Sequence, residues 1–188
     1  MFRRMQILFT TILTATLAMT TMAAHAQKTD PEVGGAPMFP TKNIVQNAVN
    51  SKDHTTLVAA VKAAGLVETL EGPGPFTVFA PTNEAFGKLP AGTVQTLLKP
   101  KNKAELVKIL TYHVVAGRLS SKDLRKLIKA GHGKAMLKTI SGGTLTATMA
   151  DGNIMLTDEK GGMATVTIPN VYQSNGVIHV INTVLLPN

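Results

Sequence analysis

The spacing of apolar residues changes from a helical to a strand-like period after residue 131. Before that point apolar positions mostly recur every three or four residues, as they do on the buried face of a helix. This spacing predicts helices at residues 43–49, 53–64, 93–98, 103–111 and 121–131. From Met136 onward apolar and polar residues alternate, which predicts strands at residues 136–140, 144–149, 153–157, 164–168 and 177–186.

Short turns rich in glycine separate these strands, at residues 141–143, 151–152, 161–162 and 175–176. Such turns join neighbouring antiparallel strands, and we expect Gly176 to supply a positive φ in the last of them. The pattern predicts an α+β fold, in which the helices come mostly from the N-terminal half. The second half forms a mostly antiparallel β-wedge or β-sandwich.

One predicted strand lies among the helices. Residues 76–79 (FTVF) are β-branched or aromatic, and Pro81 follows them closely. Thr82 is a good helix N-cap, and Glu84 would lie in the first turn, where the helix dipole favours an anion. We therefore expect a strand that runs directly into a helix and brings the two halves of the chain together. Residues 112–115 (YHVV) predict a second short strand in this half.

Single residues predict where several helices begin and end. Asp53 is placed to cap the helix over residues 53–64, and Gly65 is placed to end it in the left-handed conformation. Asn102 and Glu105 have the spacing of a capping box for the helix over residues 103–111.

The first 40 residues have the composition of a targeting segment and a linker. Arg3 and Arg4 precede an apolar, threonine-rich run that ends in Ala24-His25-Ala26, which predicts a cleavable secretory signal over residues 1–26. An uncleaved membrane anchor is the alternative, disfavoured by the threonines that interrupt the run. Residues 27–40 contain several prolines and glycines, which predicts a flexible tether before a domain at residues 41–188. The expected location is periplasmic or extracellular.

The sequence carries few signs of catalytic chemistry. There is no cysteine, so neither a disulfide nor a thiolate nucleophile is available, and no Gly-x-Ser-x-Gly motif occurs. The histidines of the predicted mature chain lack metal-ligand spacing on a helix, so we expect no metal and no cofactor. Aromatic residues make up 4% of the chain, which, with export, argues against nucleic-acid binding. The prediction is a protein that is not an enzyme.

Basic charge is concentrated in one stretch of the chain. Residues 118–138 contain seven basic residues and one acidic residue, Asp123. On the predicted helix the apolar residues Leu124, Leu127 and Ile128 should face inward. The opposite face should carry four cations, Lys122, Arg125, Lys126 and Lys129. This face either keeps the protein soluble or attaches it to anionic polysaccharide or to an anionic membrane surface.

Three segments of the sequence resemble the signature segments of the fasciclin domain family. They are residues 77–86 (TVFAPTNEAF), residues 112–115 (YHVV), and residues 175–181 (NGVIHVI) followed by LLP at 185–187. They occur in the family's order and spacing. The resemblance implies a β-wedge with a cluster of helices, and a role in adhesion through an envelope or matrix protein. The alternative is a small-ligand-binding or stress-related envelope protein with a pocket at the wedge.

The resemblance also marks departures and candidate residues. Residues 168–172 (IPNVY) match the position of an integrin-reading peptide of animal members but lack its acidic residues, and Asn182 occupies a position that is often aspartate. Tyr112 and His113 are candidate binding residues. The alternative for His113, and equally for His179, is a buried histidine whose hydrogen bonds fix how helix and sheet meet. Thr82 and Asn83 either bind a ligand at a helix N-terminus or only cap the helix.

Overall fold

The computed structural model describes residues 30–188, so the predicted signal segment and its cleavage site lie outside the described residues. The helices of the described part are α1 (Ile44–Ala48), α2 (Thr55–Ala64), α3 (Val67–Glu71), α4 (Asn83–Gly87), α5 (Thr93–Leu97), α6 (Lys103–Tyr112) and α7 (Ser121–Ala130). None of them has the length and apolar content that a membrane crossing requires.

The strands of the described part form a two-stranded hairpin and a seven-stranded mixed sheet. The hairpin consists of β1 (Glu32–Val33) and β2 (Ala36–Pro37). The sheet contains β3 (Phe76–Pro81), β4 (Val114–Ala116), β5 (Lys134–Lys138), β6 (Thr144–Ala150), β7 (Asn153–Thr157), β8 (Met163–Gln173) and β9 (Gly176–Ile181). Its order is β4-β3-β9-β8-β7-β6-β5, and a bridge between Val115 and Thr139 brings the two edges together. The predicted α+β wedge is confirmed.

The central strands β3 and β9 lie between two apolar cores. All six residues of β9 are buried, as are five of the six residues of β3. One core packs helices α1–α6 against this pair, and the other fills the space between α7 and strands β5–β8. Both strands are mostly apolar because both of their faces are covered, and their buried polar residues are Thr77 and His179. The pairing between them is parallel, which the prediction of mostly antiparallel hairpins did not include.

Residues 30–40 pack against the domain, whereas a flexible tether was predicted for residues 27–40; residues 27–29 lie outside the described residues. Val33 and Met38 are 4% and 2% exposed, and both belong to the helical core. The Asn47 side chain accepts a hydrogen bond from the Phe39 amide and donates one to its carbonyl. The Lys52 amide donates to the Gly34 carbonyl. Two buried apolar side chains and these backbone bonds hold residues 30–40, despite their prolines and glycines.

Two predicted helix ends are confirmed and two are wrong. Thr82 accepts a hydrogen bond from the Ala85 amide, and Gly65 ends α2 with φ +72°. Asp53 does not cap α2, because a 3₁₀ turn precedes the helix. The Asn83 side chain caps α2 instead: it accepts from the Thr56 amide and donates to the Lys52 carbonyl. Asn102 makes no cap of α6, and its side chain donates to the Thr96 carbonyl.

Strand boundaries also differ from the pattern. Tyr112 ends α6 and His113 caps it, so the predicted strand over residues 112–115 begins only at Val114. Strand β8 continues to Gln173 through two register shifts against β9. The irregular stretch contains Asn170, whose φ of +62° lies in the left-handed region that asparagine tolerates.

Candidate functional site

The basic helix α7 is built on a strong N-terminal cap. The Ser120 hydroxyl accepts from the Asp123 amide at 3.2 Å, and the Asp123 carboxylate accepts from the Ser120 amide at 3.1 Å. Hydrogen bonds from Ser120 hold the pKa of Asp123 below its ordinary value, with a smaller contribution from Lys126 and Lys122. The single acidic residue of the helix is thus hydrogen-bonded at the helix N-terminus, where the helix dipole also stabilises a negative charge.

The four cations predicted to share a face do so. One shallow depression on the surface is lined by Ser121 and by the four cations, which are Lys122, Arg125, Lys126 and Lys129. The Arg125 guanidinium donates to the Gly152 carbonyl at 3.2 Å. We call these four residues the basic face of α7.

The opposite side of α7 is anchored in the core. Leu124 is fully buried and Ile128 is 3% exposed, so these two side chains fix the helix on strands β5–β7. Leu127, also predicted to face inward, is 43% exposed. Only a narrow stripe of α7 packs against the sheet. This packing fixes the position of the helix, and the cations lie on its exposed side.

Asn170 joins the start of α7 to the sheet. Its side chain accepts from the Ser121 amide and donates to the Ser121 hydroxyl, each at 2.7 Å. Its own amide donates to Nδ1 of His179 on β9 at 3.3 Å. Asn170 therefore links the start of the basic helix to β9. Sequence reasoning missed this role, because the predicted strand ended at residue 168 and the partners of Asn170 on α7 and β9 are distant from it in the chain.

Tyr112, the next candidate binding residue, is fully buried and is therefore not accessible to a binding partner. Its hydroxyl donates to the Thr144 carbonyl at 2.8 Å and accepts from the Glu159 amide at 3.1 Å. Burial raises the pKa of the Tyr112 hydroxyl to about 12. The ring ties the end of α6 to the start of β6 and to the loop after β7.

His113 is 3% exposed and uses both ring nitrogens. Nδ1 lies 2.8 Å from the Ile109 carbonyl, and Nε2 accepts from the Leu185 amide at 3.1 Å. These partners place the proton on Nδ1. Burial lowers the pKa of His113 to about 4, so the ring is neutral at pH 7. It links α6 to the C-terminal segment, as the structural interpretation predicted, and it is not brought together with the basic face.

Other polar residues from the signature segments form internal joints. The Asn175 side chain accepts from the Ile44 amide at 3.0 Å and donates to the carbonyls of Leu70 and Gly72, each at 2.8 Å. His179 donates from Nε2 to the Leu119 carbonyl at 2.8 Å. Thr82 and Asn83 cap helices, as shown above. The polar groups of these side chains form hydrogen bonds within the protein.

A cavity of about 80 Å³ lies in the helical core, between α1–α3 and strands β3 and β9. Its wall is mostly aliphatic and includes Met38, Leu57 and Ile178. His54 is the buried polar residue of interest there, because its Nε2 atom is without a hydrogen-bond partner. No group of three or more histidine, aspartate or glutamate side chains within residues 30–188 is arranged to hold a metal ion.

Comparisons with known proteins agree with this architecture. A sequence model of the Fasciclin domain matches residues 52–187. Protein sll1483 of Synechocystis sp. is 44% identical over 182 residues, which cover 95% of this chain and 94% of that protein. The cell surface glycolipoprotein MPB83 of Mycobacterium bovis is 37% identical over 146 residues, which cover 74% of this chain and 58% of that protein.

A solved structure shows the same fold. The FAS1 domain pair from the insect cell adhesion molecule Fasciclin I superposes with a TM-score of 0.68 at 20% identity. The match covers 77% of this chain and 51% of that chain. The chain described here thus corresponds to about half of the pair.

Proposed function

Because this chain belongs to the fasciclin domain family, we propose that it is an exported, non-enzymatic interaction module that binds an anionic envelope polysaccharide through the basic face of α7. The family includes a cell surface glycolipoprotein and a cell adhesion molecule, which supports an interaction role. The observation that carries the choice of partner is the basic face itself, Lys122, Arg125, Lys126 and Lys129.

The geometry of α7 favours a polymer with repeated negative charges. The four cations span eight residues, about 10 Å of helix at 1.5 Å per residue. Their side chains can meet successive anionic groups along a chain. Contacts of this kind are individually weak and depend on ionic strength, since exposed charges are screened over about 8 Å at physiological salt.

The same helix is poorly suited to membrane insertion. An interfacial helix buries its apolar face among lipid tails, whereas the apolar side chains Leu124 and Ile128 are already buried in the protein core. Only the cations and the half-exposed Leu127 are free to meet a membrane. An anionic lipid surface is therefore the weaker candidate, and vesicles provide the comparison.

The hydrogen bonds of three titratable side chains support a non-enzymatic role. His113 and His179 each bond to two backbone groups, and Tyr112 does the same through its hydroxyl. A general base must be free to reach a substrate proton. The ring nitrogens of the two histidines and the hydroxyl of Tyr112 already have backbone partners. This use of the three side chains supports binding rather than catalysis as the role of the protein.

Reversing the basic face tests the partner. Replacing Lys122, Arg125, Lys126 and Lys129 with glutamate should weaken binding to immobilised dextran sulfate by about fourfold to several hundredfold, since the loss of four exposed ion pairs costs roughly 0.2–1 kcal/mol each. The melting temperature should stay close to that of the parent, because the four side chains lie on the surface. Elution over a salt gradient and circular dichroism measure the two quantities.

The matched control reverses four exposed lysines outside α7, Lys99, Lys101, Lys103 and Lys160, which changes the net charge by the same amount. That variant should keep most of the affinity. Equal losses in both variants would mean that net charge alone matters. Retention of the α7 variant on dextran sulfate, or binding of the parent to phosphatidylglycerol vesicles alone, would contradict the polysaccharide proposal.

Export predicts a defined mature N-terminus. Cleavage after Ala26 should give a protein beginning at Gln27, because Ala24 and Ala26 occupy the small-residue positions of the cleavage site. Intact mass spectrometry of the exported protein measures this directly. Replacing both alanines with leucine should leave the precursor uncleaved. A full-length species in the membrane fraction of the parent strain would instead support the uncleaved anchor.

A further inference from the structure

The cavity in the helical core is lined almost entirely by aliphatic side chains. Leu57 and Val61 of α2, Leu70 of α3 and Ile178 of β9 contribute buried parts of its wall. Ala48 of α1, a small and half-buried residue, also lines it. The wall includes residues of the same helical surface that reach solvent, such as Lys62 and Thr69. The cavity therefore extends from buried residues of the sheet to the solvent-exposed side of the helix cluster.

One polar atom in this wall is left unsatisfied. His54 is 3% exposed, and Ser51 Oγ lies 2.9 Å from its Nδ1. Its Nε2 has no hydrogen-bond partner, unlike every other buried side-chain nitrogen or oxygen within residues 30–188. Burial lowers the pKa of His54, so the ring is neutral at pH 7. The Ala80 carbonyl lies near the ring and, like Asp53, opposes this shift, but it does not meet the geometry of a hydrogen bond to Nε2.

A buried polar atom without a partner is costly, because it has lost its hydrogen bonds to water and gained none in the protein. Water is a poor partner at this position, because an ordered buried water normally makes two to four hydrogen bonds and the surrounding wall is aliphatic. A charged ligand group is also unsuitable, since burying it beside a neutral ring would cost far more than a neutral one. An uncharged oxygen on an apolar molecule satisfies both the ring and the wall.

We propose that this cavity binds the end of a linear aliphatic molecule carrying one uncharged oxygen, a hydroxyl or a carbonyl, which forms a hydrogen bond with His54 Nε2. The volume of about 80 Å³ favours a chain over a ring. An engineered apolar cavity of about 150 Å³ accommodates a single benzene. A longer molecule would extend out of the cavity towards solvent. The site is separate from the basic face on α7, so either proposal can fail without the other.

The test uses the purified protein, with 1-hexanol and hexane as matched probes. Methyl NMR spectra report the cavity through Leu57, Val61 and Ile178, while Leu145 and Leu156 of the second core serve as internal references. We expect 1-hexanol to shift the cavity methyl signals saturably and to leave the reference signals in place. Absence of saturable shifts up to the solubility of 1-hexanol would overturn the proposal.

Two variants separate the hydrogen bond from the space. His54→Phe keeps an aromatic ring but removes the nitrogen, so the affinity for 1-hexanol should fall about five- to tenfold, the value of one hydrogen bond, while hexane binds as in the parent. Ala48→Leu should fill the cavity and weaken both probes. Ala104→Leu, the same change at an exposed position of α6, should weaken neither.

Equal 1-hexanol affinity in the parent and in His54→Phe would overturn the role of His54. Equal affinity in the parent and in Ala48→Leu would place binding outside the cavity and overturn the site. If Ala48→Leu fails to fold, the comparison of 1-hexanol with hexane in the parent and in His54→Phe still decides the proposal, because both measurements are made on proteins with the cavity intact.

Discussion

Replacing Gly176 with valine is expected to destabilise the protein by about 3 kcal/mol or more, at or above the upper end of the usual cost of overpacking. Gly176 pairs with Phe76 in the parallel β3–β9 contact. A Cβ at Gly176 would lie 2.2 Å from the Phe76 carbonyl oxygen and 3.0 Å from Cδ1 of Ile44. Backbone at the centre of the sheet cannot move aside without breaking this pairing. Urea unfolding monitored by circular dichroism measures the loss.

The reason differs from the one that the sequence suggested. Gly176 was predicted to supply a positive φ, but its φ lies outside the positive range, and Gly74 has the positive φ of +60° in the loop before β3. Asparagine distinguishes the two causes, because it tolerates positive φ but still carries a Cβ. Gly176→Asn should therefore be almost as damaging as valine.

The matched control is Gly87→Val, at an exposed glycine of α4 where an added Cβ meets nothing within 4 Å. It should cost at most about 1 kcal/mol, the scale of helix propensity. An unfolding midpoint for Gly176→Val or Gly176→Asn close to that of the parent would show that β3 and β9 do not approach as closely as described.

Stability is expected to fall by about 2 kcal/mol between pH 7 and pH 5 through His113 alone. Burial lowers the pKa of His113 from the model-compound value of 6.5 to about 4 in the folded protein. The unfolded chain therefore takes up a proton below pH 6.5 that the folded protein does not. The stabilisation is complete above pH 6.5 and is lost progressively as the pH falls towards 4. Burial also lowers the pKa values of His54 and His179, which adds to the effect in the same direction.

The variant His113→Ala isolates this contribution. At pH 7 it should lower the free energy of unfolding by roughly 3 kcal/mol, because the Leu185 amide and the Ile109 carbonyl each lose a buried partner. The difference from the parent should shrink to about 1 kcal/mol at pH 5, where the parent has lost the contribution of the neutral ring. Urea unfolding at several pH values measures both curves.

The matched control is His132→Asn, at an exposed histidine of the turn after α7 whose φ of +54° asparagine tolerates, and its free energy of unfolding at pH 7 should be close to that of the parent. Parallel curves for the parent and His113→Ala would show that His113 titrates alike in the folded and unfolded states. If His113→Ala melts like the parent but loses binding to dextran sulfate, His113 belongs to a binding site and does not have a purely structural role.

Local chemistry was sufficient for several parts of the fold. Thr82 caps α4, Gly65 ends α2 and Ser120 begins α7 because the groups that they satisfy lie within five residues along the chain. The alternation after Met136 predicted the antiparallel strands for the same reason, since neighbouring strands there are joined by short turns. The four cations of α7 share a face because helical geometry alone places them there.

Predictions failed where the partner of a residue is distant in sequence. The amide at the start of α2 is capped by Asn83, 27 residues away, so local spacing wrongly favoured Asp53. Residues 30–40 are held through Asn47 and the helical core, which their proline and glycine content could not reveal. The exposure of Leu127 depends on how narrow a stripe of α7 the sheet can cover.

The sequence by itself determined the α+β class, the family through its three signature segments, and the basic face, because each depends on residues close together in the chain or on a fixed local period. Only the tertiary structure decided that Gly176 is needed for a backbone contact, that Tyr112 and His113 are internal joints, and that His54 faces an aliphatic cavity with one nitrogen unpaired. Each of these features depends on segments that meet only in the folded chain. Contacts between segments more than 30 residues apart produce no periodic pattern in the sequence, so sequence periodicity does not predict them.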